Sequence, residues 1–108
     1  MGKFSSVVVG VTFNGRQERL ERLVVGQKLF WKHDFNNKFD PNAIELFVDT
    51  ECTESVGHIR AALAEKLIVR RREKGCTYQM FVEKVTGGKE GLHFGLVVTV
   101  MTQYDKTD

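Results

Sequence analysis

The stretch richest in chemistry runs from Asp34 to Ala43 and reads Asp-Phe-Asn-Asn-Lys-Phe-Asp-Pro-Asn-Ala. Asp40-Pro41-Asn42 has turn chemistry: aspartate accepts local backbone hydrogen bonds, proline presets φ, and asparagine tolerates the following turn position. Turn formation accounts for Asn36, Asn37, Asp40 and Pro41, but not for Phe35 and Phe39, two large apolar residues in a polar loop. Phe39 has two readings. It plugs the end of a barrel, or it offers a ring on which an unpaired base stacks, worth roughly 1–3 kcal/mol per base. Asp40 is an acceptor with no evident cation partner in the sequence, and a hydroxyl donor on a ligand would satisfy it.

His58, between Gly57 and Ile59, also has two readings. At a strand end it hydrogen-bonds neighbouring backbone, or it contacts a phosphate. In the second case affinity rises as pH falls through its pKa, about 6.5 when unperturbed. Signatures of catalysis are missing: the sequence holds no GxSxG, GxxxxGK, GxGxxG or HExxH. His33, His58, His93, Cys52 and Cys76 never fall at the short paired spacings of zinc sites, so no metal or other cofactor is expected. Cys76 is read as a buried inert thiol in preference to a nucleophile paired with His58. The expectation is a protein that is not an enzyme.

Charge is unevenly distributed. The formal total is +2. Thr12–Lys38 carries +3, Asp40–Ile59 carries −5 with no lysine or arginine, and Arg60–Lys74 carries +4. Two basic segments around an acidic one would attract a polyanion if they met on one face. Equally, Arg70–Arg72 and Lys74 suit a helix C-terminus, where cations oppose the macrodipole. The acidic residues of the middle segment are expected to alternate outward on a solvated strand.

These residues must be held by a small scaffold. With 108 residues and 42% hydrophobic content the chain is read as one domain over 1–108, with an ordered core over about 7–102 and a frayed tail over 103–108. No apolar run approaches the roughly 18–20 residues of a membrane helix, and the N-terminus has no secretory pattern. Two cysteines without CxxC spacing fit reduced thiols. The expected location is cytoplasmic, with no membrane partner. Periodicity predicts strands at Ser5–Thr12, Lys28–Phe35, Ala43–Asp49, Ser55–Ile59, Tyr78–Thr86 and Leu92–Gln103, the last two joined by a Gly87–Gly91 hairpin. On the second of these, Leu29, Trp31, His33 and Phe35 share a side. A short helix is expected at Gln17–Leu23 and a long one at Arg60–Lys74, whose Leu63, Ala64, Leu67 and Ile68 form an apolar stripe before Gly75. The fold class is mainly β with minor α: six antiparallel strands curved into a partly closed barrel. If the last strand lies at an edge, it would pair with a second copy.

Three blocks carry a family resemblance. Gly10-Val11-Thr12-Phe13 with Arg16-Gln17, then Asn37-Lys38-Phe39-Asp40-Pro41-Asn42-Ala43-Ile44, then Val56-Gly57-His58-Ile59 before Leu63-Ala64, resemble the HIRAN domain. The resemblance implies an oligonucleotide-binding-like (OB-like) barrel of six strands. It also implies single-stranded DNA as the partner, captured at its 3′-hydroxyl end. HIRAN domains occur as modules of helicase-like DNA-repair and chromatin-remodelling ATPases and as short stand-alone bacterial proteins. This chain resembles the stand-alone kind, which leaves recognition as its role and a helicase or repair protein as a further partner. By the same resemblance Phe39 stacks on the terminal base, Asp40 accepts from the 3′-hydroxyl, and Asn37 and His58 contact the terminal nucleotides and phosphate. Arg60 stands near a basic pair at the helix start, with Ala61 where a lysine is expected, and Phe94 is the aromatic that closes the pocket. Ser6 and Val7 stand where the family would place an Arg-Tyr pair. That departure supports the alternative: a protein-interaction or structural module that keeps the HIRAN fold without a working DNA pocket.

Overall fold

The computed structural model describes residues 2–104. Its strands are β1 (Gly2–Val9), β2 (Lys28–His33), β3 (Ile44–Phe47), β4 (Ser55–Ile59), β5 (Cys76–Gly87) and β6 (Phe94–Tyr104). All pairings are antiparallel, and the strands close into a barrel in the order β1-β4-β3-β2-β5-β6. Helix α1 (Arg16–Glu21) connects β1 to β2, and α2 (Ala61–Lys74) connects β4 to β5. The expected mainly β class and its six strands with one long and one short helix are present. Closure goes further than expected, because β6 pairs with β5 on one side and β1 on the other. The last strand therefore has no free edge for a second copy.

The interior follows the two-residue strand period. Leu29, Ile44, Leu46, Val56, Met80, Val82, Leu96, Val98 and Val100 are all at most 2% exposed. Full burial of each such side chain stabilises by about 1.5–3 kcal/mol before entropy is counted. The α2 stripe Leu63, Ala64, Leu67 and Ile68 packs into the same core, and the Tyr78 hydroxyl donates to the Leu67 carbonyl at 2.8 Å. Gly75 ends the helix in the left-handed region, its N–H donating to the Arg71 carbonyl.

Several boundaries differ from expectation for local reasons. β1 begins at Gly2, its first residues pairing with the end of β6, and stops at Val9 because Gly10 takes φ +69. β2 ends at His33, and Phe35 lies beyond it, exposed, with its ring edge-on to His33. β6 starts at Phe94 rather than Leu92, since the connection runs on past Gly91 and a Cβ at Gly88 would lie 2.1 Å from the Phe94 ring. Gln103 and Tyr104, expected to fray, pair with Thr77 and Cys76. The rest of the tail, 105–108, lies outside the described residues.

Two seams of the barrel are short: β1 and β4 pair only at Val8–Ile59 and Val9–His58, and β2 and β5 only at Lys28–Phe81 and Leu29–Met80. Next to the second of these, β2 and β5 separate, and the Trp31 indole bridges them by donating to the Tyr78 carbonyl at 3.0 Å. Arg71 of α2 caps the indole face at 5.1 Å. The two basic segments of the sequence therefore meet along β2. No helix among the described residues is long and apolar enough to cross a membrane.

Candidate nucleic-acid interface

The loop from Asp34 to Ala43 leaves β2 and returns into β3 through its own hydrogen bonds. Asn37 N–H donates to the Asp34 carbonyl and Ala43 N–H to the Asp40 carbonyl, both at 3.1 Å. The Asn37 side-chain oxygen accepts from the N–H groups of Phe39 and Asp40 at 2.9 and 3.0 Å. His33 Nε2 donates to the Pro41 carbonyl at 2.8 Å, tying the loop to the strand it left. The sequence pattern accounts for this local structure: asparagine and aspartate side chains stand in for backbone acceptors and hold a turn without burying apolar surface.

The Phe39 ring stands at the tip of this loop, 98% exposed. It does not plug the barrel; of the two readings only the exposed platform survives. Asp40 accepts from Asn42 N–H through Oδ1 at 3.0 Å, and among the described residues no hydrogen bond reaches its Oδ2. Asn37, by contrast, has its acceptor engaged within the loop and only its amide N–H groups to offer, one lying a weak 3.4 Å from Asp34.

Phe39, Asp40, Asn37 and His58 line one shallow hollow of about 260 Å3, with Val9 and Ala61 on its far side. Four of the candidate residues thus come together from one loop and one strand. His58 reaches it because Val9, His58 and Glu45 are cross-strand partners on β1, β4 and β3 and lie in one row on the same face. Its imidazole is half-buried, and among the described residues no protein hydrogen bond engages the ring. The backbone-bonded reading of His58 is therefore not what the fold displays. Burial pushes its pKa below the ordinary histidine value, aided by the Arg16 cation and opposed by Glu45, Asp34 and Asp40.

Arg60 is the exposed residue at the α2 N-cap, between hollow-lining Ile59 and Ala61. Phe94 stands apart from this group. Its ring lies against Gly88, and its backbone N–H and C=O are clasped by the Gln17 side chain, so it anchors β6 to α1. Ser6 is 6% exposed inside the barrel and Val7 faces outward opposite Val97, so neither stands at the hollow. Another exposed aromatic lies outside the residues that line the hollow. Phe13, in the turn after β1, is 62% exposed. A Cβ at Gly10 would meet Phe13 Cδ2 and His58 Nδ1 alike at 3.9 Å, so both side chains border Gly10. The signal in the sequence was a large aromatic directly before Asn14-Gly15, both of which take positive φ.

The acidic segment is not simply solvated. Glu45 is half-buried and paired with Arg16 at 3.1 Å. Asp34, Glu45 and His58 bring one potential ligand atom each within 4.8 Å of one another, a grouping that sequence spacing did not reveal. Arg16 already pairs with one Glu45 oxygen in this group, which makes it a charge network.

Comparison with known proteins agrees with this geometry. The HIRAN domain family matches residues 1–101. The crystal structure of the HIRAN domain of human HLTF superposes with a TM-score of 0.61 at 24% identity, covering 92% of this chain and 74% of that one. A protein from Lactobacillus plantarum superposes with a TM-score of 0.66 at 19% identity, covering 93% of this chain and 100% of that one. At these identities the likeness establishes the fold alone. No curated protein sequence matches the chain. With the family match extending over nearly the whole barrel, from β1 into β6, the chain belongs to the HIRAN domain family.

Proposed function

We propose that this chain is a non-catalytic module that captures the 3′-hydroxyl end of single-stranded DNA in the hollow between the Asp34–Ala43 loop and β4. HIRAN domains as a class are DNA-binding modules, and the hollow has the parts such a role needs. The observation that carries the reading is Phe39: a whole aromatic ring held in water by a hydrogen-bonded loop, next to a carboxylate oxygen without a partner. An exposed ring of this kind stabilises nothing in the free protein and gains its value only when a planar group stacks on it. Asp40 Oδ2 then accepts from the terminal hydroxyl. The exposed Phe13 offers a second stacking face, and His58, the Asn37 amide and Arg60 serve the terminal phosphates. No reaction is needed. A larger repair or helicase assembly is the setting in which such an end-reader would serve.

One observation favours the alternative, a protein-interaction module. Asp34, Asp40 and Glu45 place three carboxylates around the hollow, against Arg16 and Arg60, and such a balance opposes a polyanion. Fluorescence anisotropy with a short labelled single-stranded oligonucleotide decides between the two. The end-capture reading predicts saturable binding at low salt, with a log–log salt slope of roughly −1 to −2 for two or so phosphate contacts. Absence of binding at low salt would transfer the assignment to protein interaction.

A further inference from the structure

We propose that Arg16 is the positioning residue of this hollow: one buried guanidinium fixes the turn that presents Phe13 and holds the Glu45 carboxylate in a pair with itself, so that it does not pair with the neighbouring His58. This rests on the end-capture reading of the site, and it concerns a residue that lines none of the hollow.

Arg16 is the first residue of α1 and only 6% exposed. Its three nitrogens each donate to a different element. Nη1 donates to the Gly10 carbonyl at 2.7 Å, at the exit of β1. Nε donates to Ser55 Oγ at 3.1 Å, at the start of β4. Nη2 donates to Glu45 Oε2 at 3.1 Å, in β3. A planar fork with donors at fixed angles makes these three bonds at once; the point charge of a lysine does not. The Gly10 bond bears on Phe13 directly. Gly10 turns the chain out of β1 with φ +69, and a Cβ there would lie 3.2 Å from Arg16 Nη1 and 3.9 Å from the Phe13 ring. The Arg16 backbone N–H also donates to the Phe13 carbonyl at 3.0 Å, so guanidinium, turn and Phe13 backbone are tied together.

The Glu45 bond bears on His58. Glu45 lies between two cross-strand partners, so the carboxylate has three neighbours competing for it: the guanidinium from α1, the imidazole from β4 and Lys32 from β2. The other charged groups facing His58 are Asp34 and Asp40 from the loop. While Arg16 holds Oε2, the imidazole stays unpaired and open to a ligand phosphate. Without the guanidinium, Glu45 is left to its two cross-strand neighbours, Lys32 on β2 and a protonated His58 on β4, and closing an ion pair with His58 takes the imidazole out of the site.

The expected signature is unusual, because the His58 pKa and the affinity move in opposite senses. In Arg16→Met, the His58 titration midpoint read by NMR rises, since Glu45 now stabilises the imidazolium, while oligonucleotide affinity falls by about tenfold as His58 and Phe13 are lost together. In Arg16→Met with Glu45→Gln, both buried charges are gone, and the His58 midpoint falls back. Arg16→Lys serves if the methionine variant does not fold. It keeps the charge and loses the fork, and in that background Phe13→Ala has less than a twofold effect on affinity, whereas in the wild type it costs roughly 5- to 150-fold. An unchanged His58 midpoint in Arg16→Met, or a full Phe13→Ala penalty in Arg16→Lys, overturns the proposal. The His58 titration needs no DNA. If the wild-type chain binds no oligonucleotide while the midpoint moves as stated, end capture fails and the Arg16 geometry stands; if it binds and the midpoint does not move, the reverse holds.

Discussion

Replacing Phe39 by alanine separates recognition from folding. The ring is 98% exposed, and the loop beneath it is held by the Asn37 side chain through the backbone N–H groups of Phe39 and Asp40, which alanine retains. Nothing buried is lost. The stability change should stay within about 0.5 kcal/mol, as for a surface substitution away from special features, or within roughly 2–4 °C in Tm for a domain of this size. Binding is another matter. A stacked base contributes about 1–3 kcal/mol, so the Kd of a short single-stranded oligonucleotide should rise by roughly 5- to 150-fold. Circular-dichroism melting and fluorescence anisotropy on the same preparation read the two quantities. Equal affinity of wild type and Phe39→Ala would refute the stacking argument. A Tm drop well beyond 4 °C would refute the claim that the ring is outside the fold's own packing.

Other expectations follow from the same geometry. Affinity should rise as pH falls below about 6.5, because burial keeps His58 neutral in the free protein and a bound phosphate favours its protonation; the dependence should vanish in His58→Ala. In the absence of ligand the sign is opposite for stability: the unfolded chain takes up that proton first, so stability is lost as pH falls from the unfolded pKa towards the lower native one, readable by urea titration. Gly57→Ala should destabilise by about 2–5 kcal/mol, since φ is +148 and the added Cβ would lie 2.6 Å from the Val9 carbonyl oxygen where β1 and β4 pass. Tyr78→Phe should lower stability by about 1 kcal/mol, because the hydroxyl that ties β5 to the α2 backbone at 2.8 Å is removed while the ring stays packed.

The elements were legible where periodicity and punctuation agree. Ser55–Ile59 and the long helix stand where two- and 3.6-residue periods put them, with Gly75 as the stop. The strand ends were less legible, because they depend on pairing. Gln103 and Tyr104 look like a polar tail but are held by Thr77 and Cys76, and only the register shows it. At the site, Phe39 and Asp40 stood out because a large apolar residue in a polar turn has no local reason to be there. Asn37 stood out too, although half of its side chain serves the loop itself. Phe94 was a candidate only through the family resemblance; its ring lies against Gly88 and does not line the hollow. Phe13 and Arg16 were hidden for different reasons. Phe13 sits in a turn, where periodicity says nothing of its neighbours, while Arg16 resembles any charged residue opening a short helix until its three partners, Gly10, Ser55 and Glu45, are brought together by the barrel.

End recognition is tested most directly by the chemistry of the terminus itself. Two oligonucleotides of identical sequence, one ending in a 3′-hydroxyl and one in a 3′-phosphate, differ only in what meets Asp40, whose Oδ2 is open. The hydroxyl donates to the carboxylate; the phosphate presents a like charge and no equivalent donor. Competition anisotropy should show the hydroxyl-ended strand preferred by roughly tenfold or more, the value of one charge-assisted hydrogen bond, and Asp40→Ala should abolish the preference. Equal affinity for both strands by the wild-type protein would contradict capture of a free 3′ end.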